Sequence, residues 1–250
     1  MSERERKSIK TISKRNYRSK TYGNAFKMYY EDLPNNPYCV NWSNYFKDGK
    51  APTYIELGCG YGKFLFRTSE LFPEKNVLGF ELRNIVYNFV SDSIIANNID
   101  NCAVMRYNAL LFLPNILKPN TVERFFILYP DPRVQMSIKK GRLINKRLFT
   151  VLEYLLIDGG EIFVSTDLEN YHKEILEEFE EFNKINRKER EFLICLERET
   201  VLKDGQIEID KSDREIELIE NCYKNTDEAL RAGLKSGKAF CTIFKYKKYI

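Results

Sequence analysis

The sequence has little histidine and no paired cysteines. Its 250 residues hold one histidine, His172, and six cysteines, Cys39, Cys59, Cys102, Cys195, Cys222 and Cys241, none in a C-x-x-C pair. Neither a zinc site nor a disulfide framework is expected, and most of the thiols read as small core residues of a reducing compartment. No stretch approaches the ~18–20 apolar residues that span a bilayer. The N-terminus is polar and basic, without the apolar run of a signal peptide. The expectation is a soluble, intracellular protein with no membrane segment and no metal. Acid is also missing from one stretch: between Arg133 and Arg147 stand Arg133, Lys139, Lys140, Arg142, Lys146 and Arg147, with no Asp or Glu.

Net charge is only +4, yet it is unevenly spread. Arg4, Arg6, Lys7, Lys10, Lys14, Arg15, Arg18 and Lys20 crowd the first twenty residues, whereas residues 161–220 are rich in Asp and Glu. Such asymmetry suits a polyanion-binding face, and equally a solvated tail and loop. Residues 1–50 read as a basic arm and an aromatic lead-in, the first twenty disordered or ordered only on binding and 21–50 packed on the domain; residues 51–250 read as one domain. Within that domain, residues 183–215 are polar and read as a mobile insertion.

From residue 53 strands and helices alternate. Strands are predicted at Tyr54–Leu57, Asn76–Glu81, Cys102–Tyr107, Val122–Tyr129 and Glu161–Thr166. Helices are predicted at Phe64–Phe72, Arg83–Asn98, Asn145–Ile157 and Leu168–Phe182, then a helical stretch near 213–235 and a last strand at Ala239–Tyr246. The pattern implies an α/β fold, a mostly parallel sheet with helices on both faces.

Chemistry gathers at the strand ends. After the first strand come Gly58, Gly60 and Gly62, in a run that lets the backbone approach a ligand closely. A dinucleotide fingerprint needs a further glycine where Lys63 stands, so a nucleoside with an uncharged tail fits better than a nicotinamide cofactor; a plain tight turn is the alternative. Glu81 ends the second strand, placed to accept hydrogen bonds from ribose hydroxyls. Asn108 and Ala109 follow the third, where a small residue leaves room for an adenine edge. Together these favour S-adenosyl-L-methionine. The fourth strand ends in Tyr129-Pro130-Asp131-Pro132, where two prolines fix the backbone around one carboxylate. It reads as an exposed acid facing the methyl donor, or simply as a strand terminator.

These residues resemble the tRNA (guanine-N7-)-methyltransferases, closest to the catalytic subunit of the eukaryotic two-subunit enzyme. The likeness rests on IELGCGYGKFL at 55–65, LGFELR at 78–83, RYNALLFLPN at 106–115, FFILYPDPR at 125–133 and GGEIFVSTD at 159–167. Asn225-Thr226-Asp227-Glu228, Gly237-Lys238-Ala239-Phe240 and the Y-R-S-K-x-Y-G-N arm at 17–24 extend it. Arg133, Gln135 and Gly141 depart from the histidine, lysine and tryptophan common in the family. The resemblance implies the class I S-adenosylmethionine-dependent methyltransferase (Rossmann-like) fold. It implies Gly58, Glu81, Arg83, Asn108, Ala109, Leu128, Thr226 and Glu228 around the cofactor, and Asp131 as the catalytic acid. Arg133, Lys139, Lys140 and Arg142 are expected to hold tRNA phosphates. A WD40-propeller subunit as partner and a nuclear location follow from the same resemblance, with a cytoplasmic location as the alternative. The alternatives are a same-fold methyltransferase with another substrate, a non-catalytic cofactor-binding subunit, and a nicotinamide-dependent reductase.

Overall fold

A strand buried on both faces needs apolar side chains at nearly every position, and four short runs supply them: β1 (Tyr54–Leu57), β2 (Val77–Phe80), β3 (Cys102–Met105) and most of β4 (Val122–Leu128). The computed structural model describes residues 12–18, 33–132, 142–185, 188–201, 213–230 and 237–249. The remaining elements are α1 (Lys63–Leu71), α2 (Asn84–Asn97), α3 (Ala109–Ile116), α4 (Lys146–Leu155), β5 (Leu156–Thr166), α5 (Glu169–Lys184), β6 (Arg190–Val201), α6 (Asp213–Lys224) and β7 (Lys238–Lys248).

The described strands form one seven-stranded sheet in the order β3-β2-β1-β4-β5-β7-β6. The first five run parallel, and β7 is antiparallel to both β5 and β6. Successive side chains leave opposite faces, so two cores form. Ile55, Leu57, Phe125, Ile127, Ile162 and Val164 pack against α3, α4 and α5. Tyr54, Phe126, Leu128 and Phe163 pack against α1, α2 and α6. Trp42 and Phe46, from the lead-in at 33–50, bury in the first core. The helices lie on both faces, as the alternation of elements predicts.

Two expectations are corrected. Residues 190–201, expected within a mobile insertion, form β6, paired along its length with β7. As the edge strand it carries charged residues and leaves Leu193 and Ile194 exposed, so no apolar alternation announces it. The helix expected to run to Ile157 ends at Leu155, and Asp158-Gly159-Gly160 lies inside β5, opposite a register shift between Val122 and Arg124. The stretch after Asn108, for which no element is predicted, forms α3; Asn108 Oδ1 accepts from the Leu110 amide and starts it.

Chain direction fixes where a ligand can sit. From β1 the chain winds outward through β2 to β3, then returns to place β4 on β1's other side. At such a reversal the loops leaving the two central strands diverge and open a crevice at their carboxyl ends. Those loops are Gly58–Gly62 and Tyr129–Pro132.

Candidate active site

The glycine turn needs backbone that only glycine adopts at low cost. Gly58, Gly60 and Gly62 have φ of 84°, 53° and 76°. The amides of Gly58 and Cys59 donate to the Phe80 carbonyl at 2.8 and 3.0 Å, tying the turn to the end of β2. A Cβ on Gly58 would meet nothing within 4 Å, so the turn faces open space. Gly62 starts α1 without a side-chain cap.

Glu81 stands one residue beyond β2, and its amide donates to the Met105 carbonyl at the end of β3 (3.1 Å). Its carboxylate is buried and already oriented. Oε1 accepts from the Arg83 amide (2.8 Å) and Nε (3.1 Å), and Oε2 from Nη2 (2.9 Å). A carboxylate has about four acceptor sites, which leaves capacity for a ribose hydroxyl. Burial works against the Arg83 charge, but the Glu81 hydrogen bonds and charge, with Glu228 behind them, outweigh it and raise its pKa. Asn108 is spent partly as the α3 cap, and Ala109 is buried in the core beneath it.

One acid escaped the sequence reading. Glu56 interrupts the apolar run of β1, and a charged residue in a strand of that kind was the available signal. It is 2% exposed, and its Oε2 has no hydrogen-bond partner among the described residues. Burial, with the Glu81 charge adding, pushes its carboxyl up to about 8. A buried carboxyl with an oxygen left unpartnered among the described residues, beside a turn that faces open space, suits a ligand carrying hydrogen-bonding groups.

The Pro-Asp-Pro loop leaves β4 through a strained residue. Tyr129 has φ of 51°, a left-handed conformation that is costly for a bulky side chain and more so before proline. Two bonds hold it there. Its amide donates to the Ser165 carbonyl (2.8 Å), and its hydroxyl donates to the Tyr223 carbonyl in α6 (2.9 Å). Leu128 is buried at the end of β4. Asp131 follows, within electrostatic reach of Tyr171 in α5.

Arg142, expected to grip phosphate, is corrected by its surroundings. It is 8% exposed. Its Nε donates to the Pro132 carbonyl, Nη1 donates to Glu174, and the guanidinium lies 4.8 Å over the Tyr171 ring. A side chain so occupied is not available to a polyanion on the surface. Arg133, Lys139 and Lys140 lie outside the described residues.

The tail segment reaches the same rim. Thr226 Oγ1 accepts from the Ala229 amide (2.8 Å) and starts the helical turn at 227–230. Asn225 Nδ2 donates to the Lys63 carbonyl (3.4 Å), and Asp227 lies 3.5 Å from Lys63 Nζ. Residues 12–18, expected to lack order on their own, dock across this rim. Lys14 donates to both Asp227 oxygens at 2.7 Å and sits 4.4 Å over the Tyr61 ring, while Tyr17 donates to Asp92 (2.7 Å). Among the described residues no group of three or more His, Cys, Asp or Glu is placed to hold a metal, and no helix is long and apolar enough to cross a membrane.

The structure thus brings Gly58, Glu81, Arg83, Asn108, Leu128, Asp131, Thr226 and Glu228 to one edge of the sheet. Comparison with known proteins points the same way. A family model described as "Putative methyltransferase" matches residues 50–201. A tRNA (guanine-N(7)-)-methyltransferase of Drosophila ananassae is 34% identical over 243 residues, which cover 93% of this chain and 87% of that protein. One from Vanderwaltozyma polyspora is 30% identical over 258 residues, covering 96% and 83%. One from Drosophila yakuba is 35% identical over 179 residues, covering 67% and 70%. With a glycine turn and a Pro-Asp-Pro loop at its switch point and relatives alike over nearly its whole length, the chain belongs to the tRNA (guanine-N(7)-)-methyltransferase family.

Proposed function

We propose that this protein transfers a methyl group from S-adenosyl-L-methionine to N7 of a guanine in tRNA, the variable-loop guanine by family resemblance. One observation carries the reading: β1 and β4 are hydrogen-bonded neighbours running parallel, so the glycine turn and Asp131 leave the same edge of the sheet side by side.

The residues fit the cofactor. Open space at Gly58 admits it, Glu81 is oriented for a ribose hydroxyl, and Glu56 has an unused acceptor. When bound, the cofactor supplies an electrophilic sulfonium methyl. Guanine N7 carries an in-plane lone pair and no proton, so no strong base is required. The chain's task is alignment, which can supply several kcal/mol of barrier lowering. Asp131 would accept hydrogen bonds from the guanine N1–H and N2–H₂ edge, fixing the base. Its charge would stabilise the cation that develops on the purine where water is excluded.

A guanine stacked within a helix hides N7 from a positioned donor, so the target must lie outside regular pairing or be displaced. Arg133, Lys139 and Lys140 are the proposed phosphate contacts, with the N-terminal arm adding more. Binding should then weaken steeply with salt. A WD40-propeller partner and a nuclear location belong to the same proposal.

The test is methylation of tRNA transcripts with labelled cofactor, followed by chemical cleavage at N7-methylguanine, with and without a WD40 subunit. Label at a single cleavable guanine supports the reading. Label that resists this cleavage overturns it in favour of a same-fold enzyme with another acceptor atom.

A further inference from the structure

The buried Arg142 has no place in a phosphate-binding role, and its contacts suggest another. Pro130 and Pro132 have no amide hydrogens, so the loop around Asp131 has few polar groups by which the protein can hold it. On the near side, the Tyr129 amide and hydroxyl are bound to Ser165 and Tyr223. On the far side, among the described residues, the Pro132 carbonyl, one peptide beyond Asp131, accepts from Arg142 Nε. Asp131 therefore sits between two anchored points, with its own backbone restricted by the proline that follows it.

We propose that Arg142 is a positioning residue for the reaction: it fixes Asp131 by holding the Pro132 carbonyl, and is itself held by Tyr171 and Glu174 of α5. The inference rests on the assignment of Asp131 made above. A planar guanidinium serves three directions at once, which a lysine ammonium does not match. Nε takes the carbonyl, Nη1 takes Glu174, and the flat face lies on Tyr171. The backbone of Arg142 is fixed as well. Asn145 Nδ2 donates to its carbonyl at 2.7 Å, while Asn145 Oδ1 caps α4 by accepting from the amides of Arg147 (2.9 Å) and Leu148 (3.1 Å). A continuous connection thus runs from the α4 start and the α5 face to the peptide next to the acid. Tyr171 closes it: the ring that carries Arg142 is 4% exposed and near enough for the Asp131 charge to act on its phenol, whose pKa is pushed up to about 12 by burial first.

The test compares Arg142→Gln, Arg142→Lys, Asp131→Asn and the Asp131→Asn/Arg142→Gln double variant. The measurements are kcat, KM for tRNA at several salt concentrations, affinity for S-adenosylhomocysteine by calorimetry, and melting temperature. Misplacing a group that must align reactants costs up to about 100-fold, so Arg142→Gln should lower kcat by roughly 10- to 100-fold. KM for tRNA, its salt dependence and the affinity for S-adenosylhomocysteine should stay as in the parent protein. Arg142→Lys, which keeps the charge but not the planar fork, should recover part of the rate, and it carries the test if Arg142→Gln does not fold. Because Arg142 acts through Asp131, the double variant should be no slower than Asp131→Asn alone. A raised KM for tRNA with a shallower salt dependence and intact kcat would identify a phosphate contact and overturn the proposal. Additive losses in the double variant, or unchanged activity in Arg142→Gln, also overturn it. Full activity in Asp131→Asn removes the underlying assignment instead.

Discussion

The glycine turn and the Pro-Asp-Pro loop leave adjacent parallel strands at the same edge of the sheet, yet they are built on opposite principles. The glycine turn has no side chain at three of its five positions, holds those three in left-handed backbone at little cost, and presents bare backbone to open space at Gly58. The Pro-Asp-Pro loop is anchored at both ends and accepts strain at Tyr129 to do so. One is shaped to be approached closely by a small molecule. The other is shaped to keep a single carboxylate still. A methyl transfer with no proton to remove needs both: a donor seated by close contact, and an acceptor held in line by a group that does not move.

The contrast is open to breaking by substitution. The largest effect is expected at Asp131. Removing a preorganised charge at a reacting centre typically costs about 100-fold or more, so Asp131→Asn should lose methyl transfer to that extent while calorimetry finds S-adenosylhomocysteine bound as before. Gly58→Ala should show the reverse emphasis. A side chain at φ 84° costs about 1–2 kcal/mol, and its Cβ enters the proposed cofactor space, so affinity should fall by roughly tenfold or more. Parent-like affinity in that variant would mean the turn is not the cofactor's seat.

Smaller effects sharpen the comparison. Tyr129→Phe removes the hydroxyl bond to Tyr223 and should cost about 1 kcal/mol of stability, with a slower kcat and unchanged cofactor affinity. Glu56 makes a pH prediction. Its folded pKa is raised from the ordinary carboxylate value of 4.5 to about 8. Below the unfolded value both states hold the proton; above it the unfolded chain releases the proton while the folded chain keeps it. Stability therefore falls as pH rises through that window and levels off beyond the folded value. Glu56→Gln should melt progressively higher than the parent protein from pH 5 to 8, and parallel melting curves would refute the buried neutral acid. Smallest is Lys14→Ala, which frees Asp227 from a half-exposed ion pair worth about 0.2–1 kcal/mol, a loss to be read by chemical denaturation.

The strand-end junctions where the cofactor is proposed to sit were legible in the sequence because their signals are local. A glycine run after an apolar strand, an acid at the next strand end and an Asn-Ala after the third each announce a strand-to-helix junction, and the parallel order brings the junctions together. The strands β1 to β4 were legible for the same reason: apolar runs between turn residues. What escaped depends on partners distant in sequence. Nothing in the charged stretch 190–201 reveals that β7 will pair with it. Arg142 reads as one cation in a basic run, and only the arrival of Glu174 and Tyr171 from α5 turns it inward. Glu56 looks like an ordinary strand residue until the sheet closes over it, and the docking of residues 12–18 depends on Asp227, more than two hundred positions away.

The most direct measurement of the account is a crystal structure of the protein with S-adenosylhomocysteine bound. The account predicts the nucleoside against Glu81, the thioether sulfur over the turn at Gly58, and that sulfur directed toward the carboxylate of Asp131. A sulfur directed away from Asp131, or a nucleoside lodged at another edge of the sheet, would contradict it.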